Sequence, residues 1–210
     1  LKKDLIKKLK EGFKIENYEI KAERVLKGRF KEERNLSLTL RYDKNMLNLL
    51  KMKVFLGRPP FYKPWVEIFD IQSKIEMGNH YLEYYESKIE MGILEFLSEN
   101  LEHGDKLFVE YTNDEKTLKE LRLGVPPVLT RLGFKLFNLG FIWLKDWYYP
   151  EGFMEGGPKI EAEKLELNIE INKQLNSILK DIANFKYETK NKELLYRIDS
   201  IFKYIENNLH

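Results

Sequence analysis

Leu36-Ser37-Leu38-Thr39-Leu40-Arg41-Tyr42 decides how the chain is read, because apolar and polar residues alternate there with a period of two. That period sends every second side chain to one face of a half-buried strand, here Leu36, Leu38, Leu40 and Tyr42. Toward the N-terminus, Tyr18, Ile20 and Ala22 alternate with charged residues; toward the C-terminus, Leu50, Met52, Val54 and Leu56 continue the pattern. Gly57-Arg58-Pro59-Pro60 ends that run, since successive prolines cannot donate to a strand ladder, and Trp65 to Ile71 begins another strand. The front third is therefore expected to be an antiparallel meander. A short helix should precede it, with Leu5, Ile6 and Leu9 on one face and Gly12 at its end.

From Asn79 the period becomes helical, with Leu82, Tyr85, Ile89, Ile93, Phe96, Leu97 and Leu101 on one stripe. Asn79 can cap the start of that helix and Gly104 its end. Lys106 to Tyr111 reads as a short strand, and a charged helical turn follows Asp114. Pro126 and Pro127 suit the start of a further helix over Val128 to Asn138, with Gly140 closing it and an aromatic strand over Phe141 to Tyr149. Pro150 to Pro158 holds too much Gly and Pro for regular structure, and Leu165, Leu167, Ile169 and Ile171 alternate as another strand. Two apolar stripes follow, Leu175, Ile178, Leu179, Ile182 and Phe185, then Leu194, Leu195, Ile198, Ile201, Phe202 and Ile205, which predict a helical hairpin. The reading is an α/β chain of α+β type in two parts: residues 1–171 as the main domain and 172–210 as a hairpin packed on it or on a second subunit. Ser73-Lys-Ile-Glu-Met-Gly78 recurs as Ser87 to Gly92, and two copies are too few for a solenoid.

Composition excludes several functional classes. Thirty-six Lys and Arg against 34 Asp and Glu leave a net charge of +2, so no global field draws the chain to nucleic acid or to an anionic membrane. Cysteine is absent, which removes disulfides, thiolate nucleophiles and thiolate metal sites, and favours a cytoplasmic setting. No run approaches the roughly 18 apolar residues needed to span a bilayer, and charges interrupt the first nine residues where a secretory signal would be apolar. His80, His103 and His210 are scattered without metal-ligand spacing, so no metal is expected. Nucleophile-elbow, phosphate-loop and dinucleotide glycine motifs are all missing.

Two stretches can carry chemistry. In the first, Phe141 to Pro158, strand alternation sends Asp146 and Tyr148 one way and Lys145, Trp147 and Tyr149 the other. Burial beside aromatic surface would raise the pKa of Asp146 and make it a general base; the alternative is that Asp146 and Lys145 solvate one sheet face while the tryptophans fill core. Glu151 and Glu155 sit on the Gly-rich segment, where they either approach a ligand amine or are simply solvated. The second stretch is the helix start around Gly78, Asn79 and His80, whose free backbone donors attract phosphate with help from Lys74, or which is only a cap.

The order strand, long helix, strand, helix, strand, strand from Trp65 to Ile171 resembles the GNAT-type N-acyltransferase fold, a mixed, mostly antiparallel central sheet flanked by helices. Thr130-Arg-Leu-Gly-Phe-Lys-Leu-Phe-Asn-Leu-Gly-Phe141, a helix closing on Gly-Phe before a strand, is similar to that superfamily. The chain as a whole, Leu139 to Lys164 above all, resembles an uncharacterised archaeal family catalogued as a domain of unknown function and grouped by fold with acyltransferases. The resemblance implies coenzyme A or acetyl-CoA as cofactor and a small amine as acceptor. It also implies that Trp65 to Ile71 splays from Lys106 to Tyr111 to pair with pantetheine, while the following helix start holds pyrophosphate. On that scheme Gln72, Lys74, Gly78 and Asn79 bind the cofactor, Asp146 or Glu151 deprotonates the amine, with Glu155 beside it, and Tyr148 serves as acid. The superfamily's phosphate signature does not occur over Gln72 to Asn79, and Leu136 stands where a tyrosine is often found. The rival expectation is a non-catalytic ligand-binding or interaction module, with the hairpin as a homodimer or partner surface.

Overall fold

The alternating first third folds as a run of adjacent antiparallel strands in the computed structural model, which describes residues 2, 4–15, 18–27, 35–42, 47–55, 65–69, 83–111, 114–147, 158–165 and 172–208. Helix α1 (Leu5–Glu11) leads into β1 (Phe13–Ile15), β2 (Tyr18–Lys27), β3 (Asn35–Tyr42), β4 (Leu47–Phe55) and β5 (Trp65–Phe69), each antiparallel to the strand before it. Helix α2 (Glu83–Asn100) then crosses to β6 (Lys106–Glu110), which pairs parallel to β5. Helices α3 (Glu115–Arg122) and α4 (Arg131–Asn138) lead to β7 (Phe141–Trp147), and β8 (Lys159–Lys164) inserts between β6 and β7, antiparallel to both. Among the described residues these strands form a mixed eight-stranded sheet in the order β1-β2-β3-β4-β5-β6-β8-β7. Helices α5 (Asn172–Glu188) and α6 (Lys192–Asn208) follow.

Alternation explains which face is the core. Met52, Val54, Val66, Ile68, Leu107, Val109, Ile160 and Ala162 are paired neighbours across four strands and are all essentially inaccessible. Leu5 and Leu9 of α1, Ile93, Leu94, Leu97 and Leu101 around α2, and Leu132 and Leu136 of α4 close over them as one cluster. Phe96 of α2 stacks on Phe13 of β1 with ring centroids 3.8 Å apart. A second cluster joins Ile182 of α5 and Leu194, Ile198, Ile201 and Ile205 of α6 to Val125, Val128, Leu129, Phe137, Ile142 and Leu165. The hairpin's apolar stripe therefore finds a partner within its own chain, which an isolated helix of this length needs in water.

One expected element comes out differently. The helix expected over Val128 to Asn138 is broken: a 3₁₀ turn, Pro127–Leu129, is followed by Thr130 in extended conformation, and α4 starts only at Arg131. The cause is local, because the Thr130 hydroxyl donates to Pro127 O at 2.7 Å and accepts from Gly133 N at 3.1 Å, capping a new helix. Lys159–Lys164, where Ile160 and Ala162 alternate with charges, forms a strand that the sequence reading did not expect; the strand expected from Leu165 to Ile171 lies, beyond Leu165, outside the described residues. The cap at Asn79 also lies outside them, α2 being described from Glu83. Gly140 closes α4 as expected, with φ at +83°.

Candidate functional site

The parallel strands β5 and β6 finish at the same end of the sheet, at Phe69 and Glu110. Lys159, the first residue of β8, pairs with Glu110 there, and Trp147, the last of β7, pairs with Lys159. The strand ends to which residues 70–82 and 148–157 attach are therefore neighbours. Gln72, Lys74, Gly78 and Asn79 fall in the first of those stretches and Tyr148, Glu151 and Glu155 in the second; all seven lie outside the described residues. Asp146 is placed by register, opposite Ile160. The two groups of residues singled out in the sequence thus belong to segments joined to one end of the sheet.

The expected splaying of Trp65 to Ile71 from Lys106 to Tyr111 does not occur over the paired residues. Trp65, Val66, Glu67 and Ile68 pair in register with Lys106, Leu107, Phe108 and Val109. Burial of Val66, Ile68, Leu107 and Val109 in the shared core holds the strands together, so any opening for a ligand begins beyond Ile68 and Val109.

The opposite face of these central strands is ionic. Trp65 and Glu67, Lys106, Phe108 and Glu110, and Lys159, Glu161 and Glu163 alternate with the core residues, and neither apolar cluster includes any of them. Lys159 pairs with Glu67, and Lys106 with Glu161, each pair crossing the sheet diagonally. Lys159 and Glu161 are only 8% and 6% exposed, and charges so far from water persist only when paired. Phe108 lies between Glu67 and Glu161 in register, and the charge of those two carboxylates is met by Lys159 and Lys106.

A second polar assembly stands where β6 leads into α3. Arg131, the first residue of α4, donates through Nε to Asp114 Oδ2 at 2.9 Å and through Nη2 to the same oxygen at 2.5 Å. Its Nη1 reaches Glu90 Oε2 on α2 at 3.2 Å, and Lys135 Nζ meets that oxygen at 2.8 Å. Asp114 also caps α3, accepting from Thr117 N at 3.0 Å and from Thr117 Oγ1 at 2.6 Å. Burial works to raise the Asp114 pKa, but the hydrogen bonds from Arg131 and Thr117 and the Arg131 charge outweigh it and hold the carboxyl below its ordinary value. Burial likewise opposes the charge on Arg131, and Asp114 and Glu90 overcome it, raising that pKa. On α6, hydrogen bonds from Lys116 and Arg197 lower the pKa of Glu193.

Over residues 16–190 the sequence matches the family described as a protein of unknown function, DUF1122. The chain belongs to the DUF1122 family. A crystal structure of a protein of unknown function from Aquifex aeolicus VF5 is similar to it, with 38% sequence identity, a TM-score of 0.77 and 97% of each chain covered. No curated protein matches the sequence.

Sequence reading missed the charged residues that the DUF1122 fold gathers. Lys159, Glu161 and Glu67 carry a legible signal, a period-two alternation with Ile160, Ala162, Val66 and Ile68, although Gly and Pro crowd the residues just before Lys159. Arg131 and Asp114 are 17 positions apart and nothing local marks them as partners. Leu136 is fully buried in the main core. Among the described residues no group of three or more His, Asp or Glu is arranged to hold a metal ion, and no helix is long and apolar enough to cross a membrane. An open groove of about 450 Å³ lies on the hairpin, lined by Ala183, Lys186, Asp199, Phe202, Lys203 and Glu206.

Proposed function

We propose that this DUF1122 protein has a GNAT-type fold and binds coenzyme A or an acyl-CoA at the end of β5 and β6, transferring the acyl group to a small amine. The observation that carries the reading is the strand order: among the described strands β5 and β6 are parallel and every other neighbouring pair is antiparallel, with α2 bridging β5 to β6 and β8 inserted between β6 and β7. Ligands of α/β sheets tend to bind outside the carboxyl ends of parallel strands where the connectivity changes direction, which at this sheet is the end bearing Phe69 and Glu110.

In this reading residues 70–82 supply the phosphate contacts, Gln72, Lys74, Gly78 and Asn79, and residues 148–157 form the acceptor wall. Asp146 or Glu151 takes a proton from the ammonium form of the acceptor, with Glu155 orienting it. The freed amine nitrogen would attack the thioester carbonyl, the carbon–nitrogen bond forming as the carbon–sulfur bond breaks; Tyr148 would protonate the departing thiolate, and the second proton lost by the nitrogen would restore the Tyr148 hydroxyl. A second reading, binding without turnover, is favoured by Leu136: a buried leucine stands where the superfamily often places its acid.

One experiment addresses both. Coenzyme A at about 100 times its dissociation constant is expected to add about 2.7 kcal/mol to stability. For a chain of this size that is a rise in Tm of about 5–10 °C. Release of free thiol from acetyl-CoA in the presence of an amine panel would accompany the shift if the protein is a transferase, and be absent if it only binds. No shift with coenzyme A or acetyl-CoA would contradict both readings.

A further inference from the structure

The α5–α6 hairpin is joined to the end of β6 by a series of hydrogen bonds, charge-assisted from α6 to Asp114 and backbone from there on. On α6, Glu193 Oε1 accepts from Lys116 Nζ of α3 at 2.7 Å and from Arg197 Nη2 at 2.6 Å. Arg197 is only 4% exposed, and its Nη1 donates to Leu129 O at 2.7 Å and to Glu120 Oε1 at 3.0 Å. The other oxygen of the same carboxylate, Glu120 Oε2, accepts from the backbone N–H of Arg131 at 2.6 Å. One glutamate on α3 therefore ties α6 to the first turn of α4. The Arg131 side chain continues to Asp114 and Glu90, and Asp114 N donates to Tyr111 O at 3.0 Å. Tyr111 N in turn donates to Pro158 O at 3.0 Å, immediately before β8.

We infer that this relay makes the hairpin a conformational control on the end of the sheet: the seating of α6 sets the position of Asp114, Tyr111 and Pro158 through Arg197, Glu120 and Arg131. Three features support it. Both carboxylate oxygens of Glu120 are engaged by different elements, so it cannot follow a shift of α6 without releasing one of them. Arg197 is nearly inaccessible, so its partners cannot be replaced by water at no cost. Asp114 binds Arg131 through two donors, a geometry that transmits orientation as well as charge. The inference stands apart from the acyltransferase reading, since it concerns how the sheet end is held and not what it binds.

The test is a double-mutant cycle on the full chain by denaturant unfolding, pairing Arg197→Met with Asp114→Asn, two residues that share no direct contact. Independent sites combine multiplicatively to within about a factor of two, so coupling through the relay should appear as a departure of about threefold or more from the product of the single effects. A control cycle, Arg197→Met with Glu67→Gln on the ionic face, should combine as a simple product. Arg197→Lys, which keeps the charge and loses the fork, provides the same cycle if the methionine variant does not fold. Amide hydrogen exchange gives the second readout: faster exchange at Tyr111 and Asp114 than in the strands of the meander supports the relay. Multiplicative behaviour of Arg197 with Asp114, or an exchange increase confined to α6 or equal throughout the chain, would overturn it.

Discussion

Replacing Gly133 by alanine is expected to destabilise the protein by about 3–4 kcal/mol, although alanine is the better helix former by about 1 kcal/mol. A Cβ at this position would lie 1.7 Å from Pro127 O and 2.7 Å from Pro127 C, both backbone atoms. That carbonyl cannot retreat freely, because it also accepts the Thr130 hydroxyl and the Thr130 N–H. The glycine is thus required by close approach of backbone to backbone where the 3₁₀ turn meets α4. Equilibrium unfolding in urea should show a lower midpoint with little change in slope. Gly124, whose Cβ would meet nothing within 4 Å, is the contrast. Alanine there should cost only about 1 kcal/mol, for its φ of +77°. Equal losses at the two positions would contradict the packing described.

The second large effect is expected at Arg131. Arg131→Met removes the cation shared by Asp114 and Glu90 and leaves Asp114 with Thr117 as its named partner, a loss of about 3 kcal/mol by the behaviour of partly buried pairs broken on one side. The pH dependence gives its signature. Because folding lowers the Asp114 pKa from an ordinary value of 3.8, its contribution is present above about pH 4 and is lost as pH falls through the folded value. The stability difference between the parent and Arg131→Met should therefore be largest near neutrality and shrink in acid. A difference independent of pH from 7 to 2 would mean that Arg131 acts through packing alone.

Much of the fold is legible residue by residue. Ile20, Met52 and Val54 alternate because the meander has one buried face, and Ile93, Leu97 and Leu101 recur at helical spacing because α2 lies on that face. The two stripes after Asn172 predict the hairpin for the same reason, and the sequence left open only what they pack against. The break at Thr130 was not legible, because Pro126 and Pro127 suit an α-helix start as well as a 3₁₀ turn, and the Thr130 hydroxyl decides between them only once Pro127 O is in place. Strand β8 was not legible because Gly and Pro crowd the residues just before Lys159, and its place is set by Ile160 and Ala162 meeting Val109 and Leu107 across the sheet. For the site, the sequence could point to segments but not to partners separated along the chain: Glu67 with Lys159, 92 positions apart, and Glu120 with Arg197, 77 apart, are products of topology.

The acyl-CoA ligand is proposed to sit at the end of the sheet where β5 and β6 finish. Amide hydrogen exchange of the intact protein with and without saturating coenzyme A measures it most directly. Protection is expected to concentrate at Ile68 and Phe69 of β5, at Glu110 of β6 and the following Tyr111, and in the segments 70–82 and 148–157. Protection confined to the hairpin groove around Phe202, or exchange unchanged throughout by coenzyme A, would contradict it.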